Sequence, residues 1–415
     1  MNFSRTGKRR RVPAVPCGAA LLLAAIACHA QTIPVAPFDI AGFGTLGAIY
    51  HDGRDLEFRR TVSQSSAARA NQVDFGTDSV LGLQAQWPIA TNFRLTAQGI
   101  ADLRANGDWA PRLSRVFARY SFDESAIVRA GRIGTDIYLL ADTPAVGYSF
   151  LPVRPPGEFF GIIPTDELDG GDVTVRWRAG AALLEARGFG GRLTGETATP
   201  TGRALPLNGH VAALRVDYMR DPWTARVLVG SIVVQSPEMG DLVGALRVVG
   251  SPQSLALSNV FSDRWAKVLT AQLSIAREDE HLRLQLHLAR YHSDSILGPQ
   301  SYVGSTIAGY RYGRFTPYTS FSFTHSTADM LPSGLPDGAQ FAALNAAVRE
   351  VQSGAQSTQH TVAFGVRYDF ARRADLKLQV ERVNLATSSL IIDHRVPARE
   401  GASLNAVSLA FDFLF

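Results

Sequence analysis

The chain has 415 residues, and its 41 Lys and Arg stand against 37 Asp and Glu for a formal charge of +4. That near-balance gives no electropositive footprint for nucleic acid, so no nucleic-acid partner is expected. Only 19% of residues are charged and 37 are glycine, a composition that suits an all-β protein in water or in a membrane.

The N-terminus reads as a secretory signal. Arg5, Lys8, Arg9, Arg10 and Arg11 form a basic region, Ala19 to Ala27 an apolar core, and Cys28-His29-Ala30 a small-residue cleavage site before Gln31. The apolar core is too short to span a bilayer as a helix. Residues 1–30 are therefore assigned to a cleaved signal peptide and 31–415 to the mature chain. Cleavage removes five of the 41 basic residues and none of the 37 acidic ones, which takes the charge from +4 to −1. Both cysteines, Cys17 and Cys28, lie in the signal, so neither a disulfide framework nor a thiolate metal site is expected. An alternative keeps Cys28: Leu23 to Cys28 loosely resembles a lipoprotein box, with Ala25 a poor match, and would make Cys28 a lipidation site.

After the signal no run of 18 apolar residues occurs, which excludes a helical membrane protein. Alternation takes over instead. Leu81, Leu83, Ala85 and Trp87 oppose Gln84 and Gln86, and Phe93, Leu95 and Ala97 oppose Arg94, Thr96 and Gln98. Leu282 to Leu288 oppose Arg283, Gln285 and His287, and Leu376, Leu378 and Val380 oppose Lys377, Gln379 and Glu381. Such period-two segments have one apolar and one polar face. Many are longer than the roughly five or six residues of a globular strand and match the nine to eleven of a tilted bilayer-crossing one.

Sixteen strands are predicted, near 38–50, 73–87, 93–104, 114–122, 126–135, 172–178, 181–190, 208–218, 223–234, 264–276, 281–293, 302–312, 315–326, 358–370, 374–384 and 404–415. The ambiguous stretch 172–190 leaves the count open by one hairpin. The links alternate long and short, as in outer-membrane barrels with long outer loops and short periplasmic turns. Trp87/Phe93, Tyr120/Phe122, Trp177, Tyr218/Trp223, Tyr312/Phe315 and Tyr368/Phe370 flank the short turns, as an interfacial aromatic girdle would. In the last strand Val407, Leu409, Phe411, Phe413 and Phe415 share one face, and pairing with the first strand would close the cylinder and leave no edge. The predicted class is all-β: a transmembrane antiparallel β-barrel of sixteen strands.

Four groups of segments carry a family resemblance: Gly42 to Gly47, Ala130 to Ile133, Val146 to Tyr148 with Val153 to Pro156, and Arg367 to Phe370 with Leu376 to Gln379. They resemble a poorly characterised group within the Gram-negative porin superfamily, with a likeness spanning the mature chain. That resemblance implies an outer-membrane location, a sixteen-stranded porin barrel that is often a trimer, and a third outer loop folded inward to narrow the pore. The terminal strand also looks like the signal read by the bacterial barrel-assembly machinery.

Residues 136–171 are the expected constriction loop, too rich in Tyr138, Tyr148, Phe150, Phe159 and Phe160 to lie simply in water. Asp142, Glu158, Asp166, Glu167 and Asp169 would give it an acidic edge. Arg94, Arg104, Arg115, Arg119, Arg132, Arg176, Arg226 and Arg367 are the candidate basic pore residues. Facing acids and bases would set a transverse field and an ion preference. The competing reading is that the charges merely pair and hydrate the wall. Arg outnumbers Lys, whose only members are Lys8, Lys267 and Lys377; this suits carboxylate or phosphate contacts and equally reflects base composition.

Other signals are weaker. Gly42-x-Gly44-x-x-Gly47 has the dinucleotide spacing but sits inside a strand with no helix after it. His281 and His287 share a face but lie about 20 Å apart at the strand rise, too far for one ion. Residues 337–356 carry a helical period through Phe341, Leu344, Val348 and Val351, read as an outer-loop helix. No cofactor or metal is expected. The favoured reading is passive diffusion of small hydrophilic solutes, with an anion or carboxylate bias. The alternatives are a non-conducting structural or adhesive barrel and, further off, an outer-membrane hydrolase. A plugged, energy-coupled receptor does not fit a first strand about eight residues past the cleavage site.

Overall fold

A computed structural model describes residues 38–415 except 55, 65–67, 105–106, 164, 199–203, 236–238, 297, 329, 337, 354–356, 387–391 and 395–400. The signal peptide assigned to residues 1–30 lies outside the described residues.

Sixteen long antiparallel strands close into one barrel. They are β1 (Asp39–His51), β2 (Val80–Ala90), β3 (Phe93–Leu103), β4 (Trp109–Ser121), β5 (Ala126–Gly134), β6 (Glu167–Ala179), β7 (Ala182–Ala198) and β8 (Ala204–Arg220). The second half is β9 (Trp223–Gln235), β10 (Trp265–Glu278), β11 (Leu282–Ser293), β12 (Ser301–Tyr310), β13 (Phe315–Ser326), β14 (Gln359–Ala371), β15 (Ala374–Leu385) and β16 (Ser403–Leu414). Each strand pairs with its neighbours in sequence, and β16 pairs with β1 from Phe43 opposite Leu414 to His51 opposite Ala406. Closure satisfies every strand edge, which a bilayer requires because hydrocarbon offers no hydrogen-bond partner.

The pleat decides what faces out. Leu81, Leu83, Leu214, Val227, Val229, Leu378, Val380, Val407 and Leu409 are all exposed, while the alternate positions are buried. One end carries tight turns for identifiable reasons. The Asp123 carboxylate accepts from the Ser125 and Ala126 amides at 2.8 and 2.9 Å, and Asp279 does the same for His281 and Leu282. Gly313 takes φ +61° in a two-residue turn. Trp87, Tyr120, Trp177, Tyr218, Trp223 and Phe315 are exposed on the outer face at this turn end. Phe411, Phe413 and Phe415 continue the band as a stack with centroid spacings of 5.5 and 6.1 Å.

The first-strand glycines have a specific task. A Cβ on Gly42 would lie 2.0 Å from the Phe415 ring, and one on Gly44 would lie 2.4 Å from the Phe413 ring. Bare backbone lets the closing strand lay its aromatics across β1, rather than easing a bend as glycines in barrel strands commonly do.

One strand departs from the sequence reading, and one open count is settled. The strand expected from residue 73 is interrupted: Val73 and Asp74 pair with Tyr50 and Ile49 of β1, then Asp74 accepts from the amides of Gly76 and Thr77 and from the Thr77 hydroxyl, turning the chain before the strand resumes at Val80. The stretch 172–190 is two strands, β6 and β7, with a tight turn between them. At the loop end, helices α1 (Gly240–Val249), α2 (Pro252–Ser262) and α3 (Ala342–Ser353) pack together through Leu246, Leu257, Phe261 and Val348. The helical period expected over 337–356 corresponds to α3. No described helix is long and apolar enough to cross a membrane.

Candidate pore lumen

The long link between β5 and β6 is held by lumen-facing side chains from almost the whole circumference. Asp136 accepts from Arg187, from Arg215 at 2.7 Å and from Arg226 at 2.9 Å. The Gly147 carbonyl accepts from Lys377 at 2.8 Å, and Arg367 donates to the carbonyls of Tyr148 and Phe150 at 2.8 and 3.1 Å. Arg154 pairs with Asp78 and Glu381, each at 3.1 Å, and stacks over Phe58. Glu158 accepts from Ser322 and Gln359, both at 2.6 Å, and from Thr361. A buried carboxylate is tolerable only when its lone pairs are met in this way.

Apolar packing reinforces these ties. Phe159 and Phe160 each sit 5.1 Å from the His287 ring, and Tyr138 meets Phe160 edge-on at 4.7 Å. Burying one such side chain contributes roughly 1.5–3 kcal/mol. His287 Nδ1 lies 2.9 Å from the Ser274 hydroxyl, while His281 stacks on Tyr310. Among the described residues no three His, Cys, Asp or Glu are placed to hold a metal.

On β3 to β9 the lumen face presents an arginine wall, whose Arg187, Arg215 and Arg226 are the anchors of Asp136. Arg94, Arg119, Arg129, Arg176, Arg187, Arg215 and Arg226 face inward, and the nearby carboxylates are Asp136, Asp142, Asp172, Glu185 and Asp217. Arg129 and Arg187 share Asp172 at 2.9 Å each, Arg176 and Arg215 share Glu185 at 2.5 and 2.7 Å, and Arg226 meets Asp217 at 2.7 Å. Arg94 donates to Gln86 at 3.2 Å. Arg119 has no ion pair among the described residues, and its register partners are Arg94 on β3 and Arg129 on β5. Like charges directly opposite are unfavourable. The Arg119 guanidinium is tolerated here because it borders open space: a cavity of about 280 Å³ lined by Arg94, Arg119, Arg129, Arg176 and Asp142. Arg94 and Arg119 also line a cavity of about 500 Å³ at the turn end. Towards the loop end a third, of about 320 Å³, is lined by Arg104, Arg112, Tyr138, Asp166 and Glu167.

Of the candidate pore residues, Arg94, Arg115, Arg119, Arg176 and Arg226 face the lumen on one wall, with Arg104 at its loop end. Arg367 lies across the barrel, tied to Asp369 at 2.8 Å and Asp375 at 2.9 Å, and serves the loop rather than the wall. Two assignments need correction. Arg132 faces outward, where it forms a two-point pair with Asp169 at 2.8 and 2.9 Å; the alternation that turns Arg129 and Ile133 inward puts it on the outer face, opposite Val116. Glu158 is 1% exposed and hydrogen-bonded to the wall, so it is an anchor and no part of an acidic edge. Asp166 and Glu167 are tied to Arg112, and Asp166 also to Arg115. Burial pushes the Asp166 carboxyl up, but Arg115 and Arg112 outweigh it and hold it below the usual range. Asp142 keeps 56% of its side chain open to the lumen, 4.0 Å from Arg129 and 3.9 Å from Arg187. Enclosure by protein, followed by the charge of Asp136, raises it above the usual range.

Sequence reasoning missed Arg112, Arg129, Arg187 and Arg215. Arg187 and Arg215 lie on the same alternation as Glu185 and Asp217 and could have been found by extending it. Arg112 could not: the β3–β4 register slips at Gln98/Gly99, so Arg112 and Arg115 both face in despite their odd spacing.

No family model and no curated protein matches the sequence. Solved structures do. An anion-selective porin from Comamonas acidovorans superposes with a TM-score of 0.51 at 12% identity, covering 91% of this chain and 99% of that one. OmpF from Salmonella typhi, in complex with daunomycin, gives 0.53 at 10% identity, with 91% and 97% covered. OprB from Pseudomonas putida gives 0.52 at 8% identity, with 96% of each chain covered. At these identities the likeness is one of fold, the closed sixteen-strand barrel of outer-membrane porins.

Proposed function

We propose that the chain is an outer-membrane porin, exported by its signal peptide and folded by the barrel-assembly machinery, that lets small hydrophilic solutes diffuse passively with a bias towards anions and carboxylates. The carrying observation is the arginine wall. Nine guanidiniums, Arg112 and Arg115 included, meet eight carboxylates there, Asp102, Asp166 and Glu167 included, and Arg119 faces other cations with no acid between. Such an arrangement is stable in a water-filled passage and costly in a dry core. The bound link 135–166 is read as the constriction, since open space lined by Arg94, Arg119, Arg129 and Arg176 remains beside it, bordered by its Asp142. No catalytic activity is assigned, and a homotrimer is the proposed assembly.

Liposome swelling tests this. Vesicles carrying the folded barrel should swell in isotonic monocarboxylate faster than in an equally sized amine salt. A folded barrel that admits neither would favour a structural or adhesive role. Turnover of a lipid or peptide substrate, abolished by replacing one Ser–His pair, would favour the hydrolase.

A further inference from the structure

The outer face of the barrel is as asymmetric as the lumen. On β10 to β15 the outward positions near the turn end carry Tyr310, Phe315, Tyr368 and Phe370, while those near the loop end carry Lys267, Arg290, His292, His325, His360 and Arg382. All six of these side chains are exposed. Register makes them one arc: His292 lies opposite Leu269 and Arg290 opposite Tyr302, which also faces His325; His360 lies opposite Phe323, and Arg382 opposite Val362. Lys267 sits two residues from Leu269 on the same face.

No Asp or Glu occupies an outward position on these six strands. Arg290 lies over the Tyr302 ring at 4.4 Å, and Arg382 donates to Asn384 at 3.2 Å and Ser403 at 3.3 Å, all neutral partners. Asp294 lies at the edge of the arc, accepting from the Lys267 amide at 2.8 Å. Cations facing lipid are unfavourable at mid-bilayer and nearly free at the interface. At the turn end of these strands the outward Arg277 is neutralised by Asp279 at 2.9 Å and stacked on Trp223, whereas the loop-end cations have no acids among them, which calls for an anionic surface there.

We infer that this arc binds the net-anionic, phosphate-bearing headgroups of the lipid leaflet at the loop end. Guanidiniums meet phosphate oxygens through two parallel hydrogen bonds, exposed imidazoles add single contacts, and Leu269, Tyr302 and Phe321 offer the apolar surface on which the acyl chains would lie. The inference rests on the membrane-barrel reading but not on conductance, so a conducting barrel that ignores headgroup charge would sink it alone.

The test is native mass spectrometry of the full mature barrel, delipidated in a non-ionic detergent and titrated with phosphatidic acid or with phosphatidylcholine of the same chains. The expected result is binding of phosphatidic acid at much lower concentration. The preference should fall by roughly five-fold for each cation removed in Lys267→Gln, Arg290→Gln and Arg382→Gln. Millimolar inorganic phosphate should fail to displace the lipid; equal displacement would mean a free-phosphate site and overturn the proposal. Should the triple variant not fold, the native protein decides: the preference must disappear in ~1 M salt, where screening is short-ranged. Equal binding of the two lipids, or a preference unaffected by the substitutions and by salt, refutes it.

Discussion

Replacing Arg119 by Gln should change what the barrel conducts without changing whether it folds. Arg119 has no ion pair among the described residues and lies opposite Arg94 and Arg129, so its removal relieves repulsion and breaks no buried pair. An anion passing at about 6 Å through water-like dielectric gains about 0.7 kcal/mol from one such charge. Losing it lowers anion occupancy roughly threefold and raises cation occupancy by a similar factor, so the permeability ratio should drop by up to about tenfold at low ionic strength. In ~1 M salt the difference should shrink, because screening falls to a few ångströms. Reversal potentials across a planar bilayer under a salt gradient read this ratio directly. A heat-modifiable gel shift equal to that of the native protein establishes that folding is intact. An unchanged reversal potential at low salt, for Arg119→Gln and for Arg94→Gln alike, would refute the view that this wall sets selectivity.

Other consequences concern the loop and its anchors. Glu158→Ala leaves the donors of Ser322, Gln359 and Thr361 without their acceptor, at about 1–3 kcal/mol for each one stranded; protease cleavage within 135–166 should accelerate, and Glu158→Gln should be milder. Lys377 is fully buried between Asp375 and Asp412, with Asp412 at 2.9 Å. Lys377→Met should destabilise by about 3–5 kcal/mol and lower the temperature at which the gel shift is lost. Because Asp142 is raised above the usual range, acidification should neutralise it before an ordinary aspartate near ~3.9. Anion preference should therefore rise as pH falls, a trend Asp142→Asn should flatten. Asp166 is held low, so its contribution to loop attachment is present above the unfolded value and lost only as pH drops through the lower folded one. Protease resistance of the loop should hold to about pH 4 and weaken below it.

The barrel was legible because its outer face repeats an apolar residue at every second position. Outward positions are apolar over most of each strand, so Leu282 to Leu288 and Leu376 to Val380 announce their strands, and the closing face through Phe411 and Phe413 follows the same rule. Part of what failed did so where local geometry breaks period two. The register slip beside Ser114 re-aims Arg112 and is not encoded in hydrophobicity, whereas Arg132 obeys the alternation and was read by its charge alone. The acids of the long link were read by charge alone. The partners of Glu158 come from strands more than a hundred residues away, Gln359 among them, so sequence could not separate this anchor from a pore-lining group. Lys377 was visible as a polar-face residue of β15, but nothing in its neighbourhood pointed to Gly147.

The most direct test of the account is single-channel conductance of the detergent-extracted barrel in a planar bilayer, with a salt gradient imposed. The account predicts stepwise openings and a reversal potential of anion-selective sign. A correctly folded barrel that stays electrically silent, or one that conducts with cation selectivity, would contradict it.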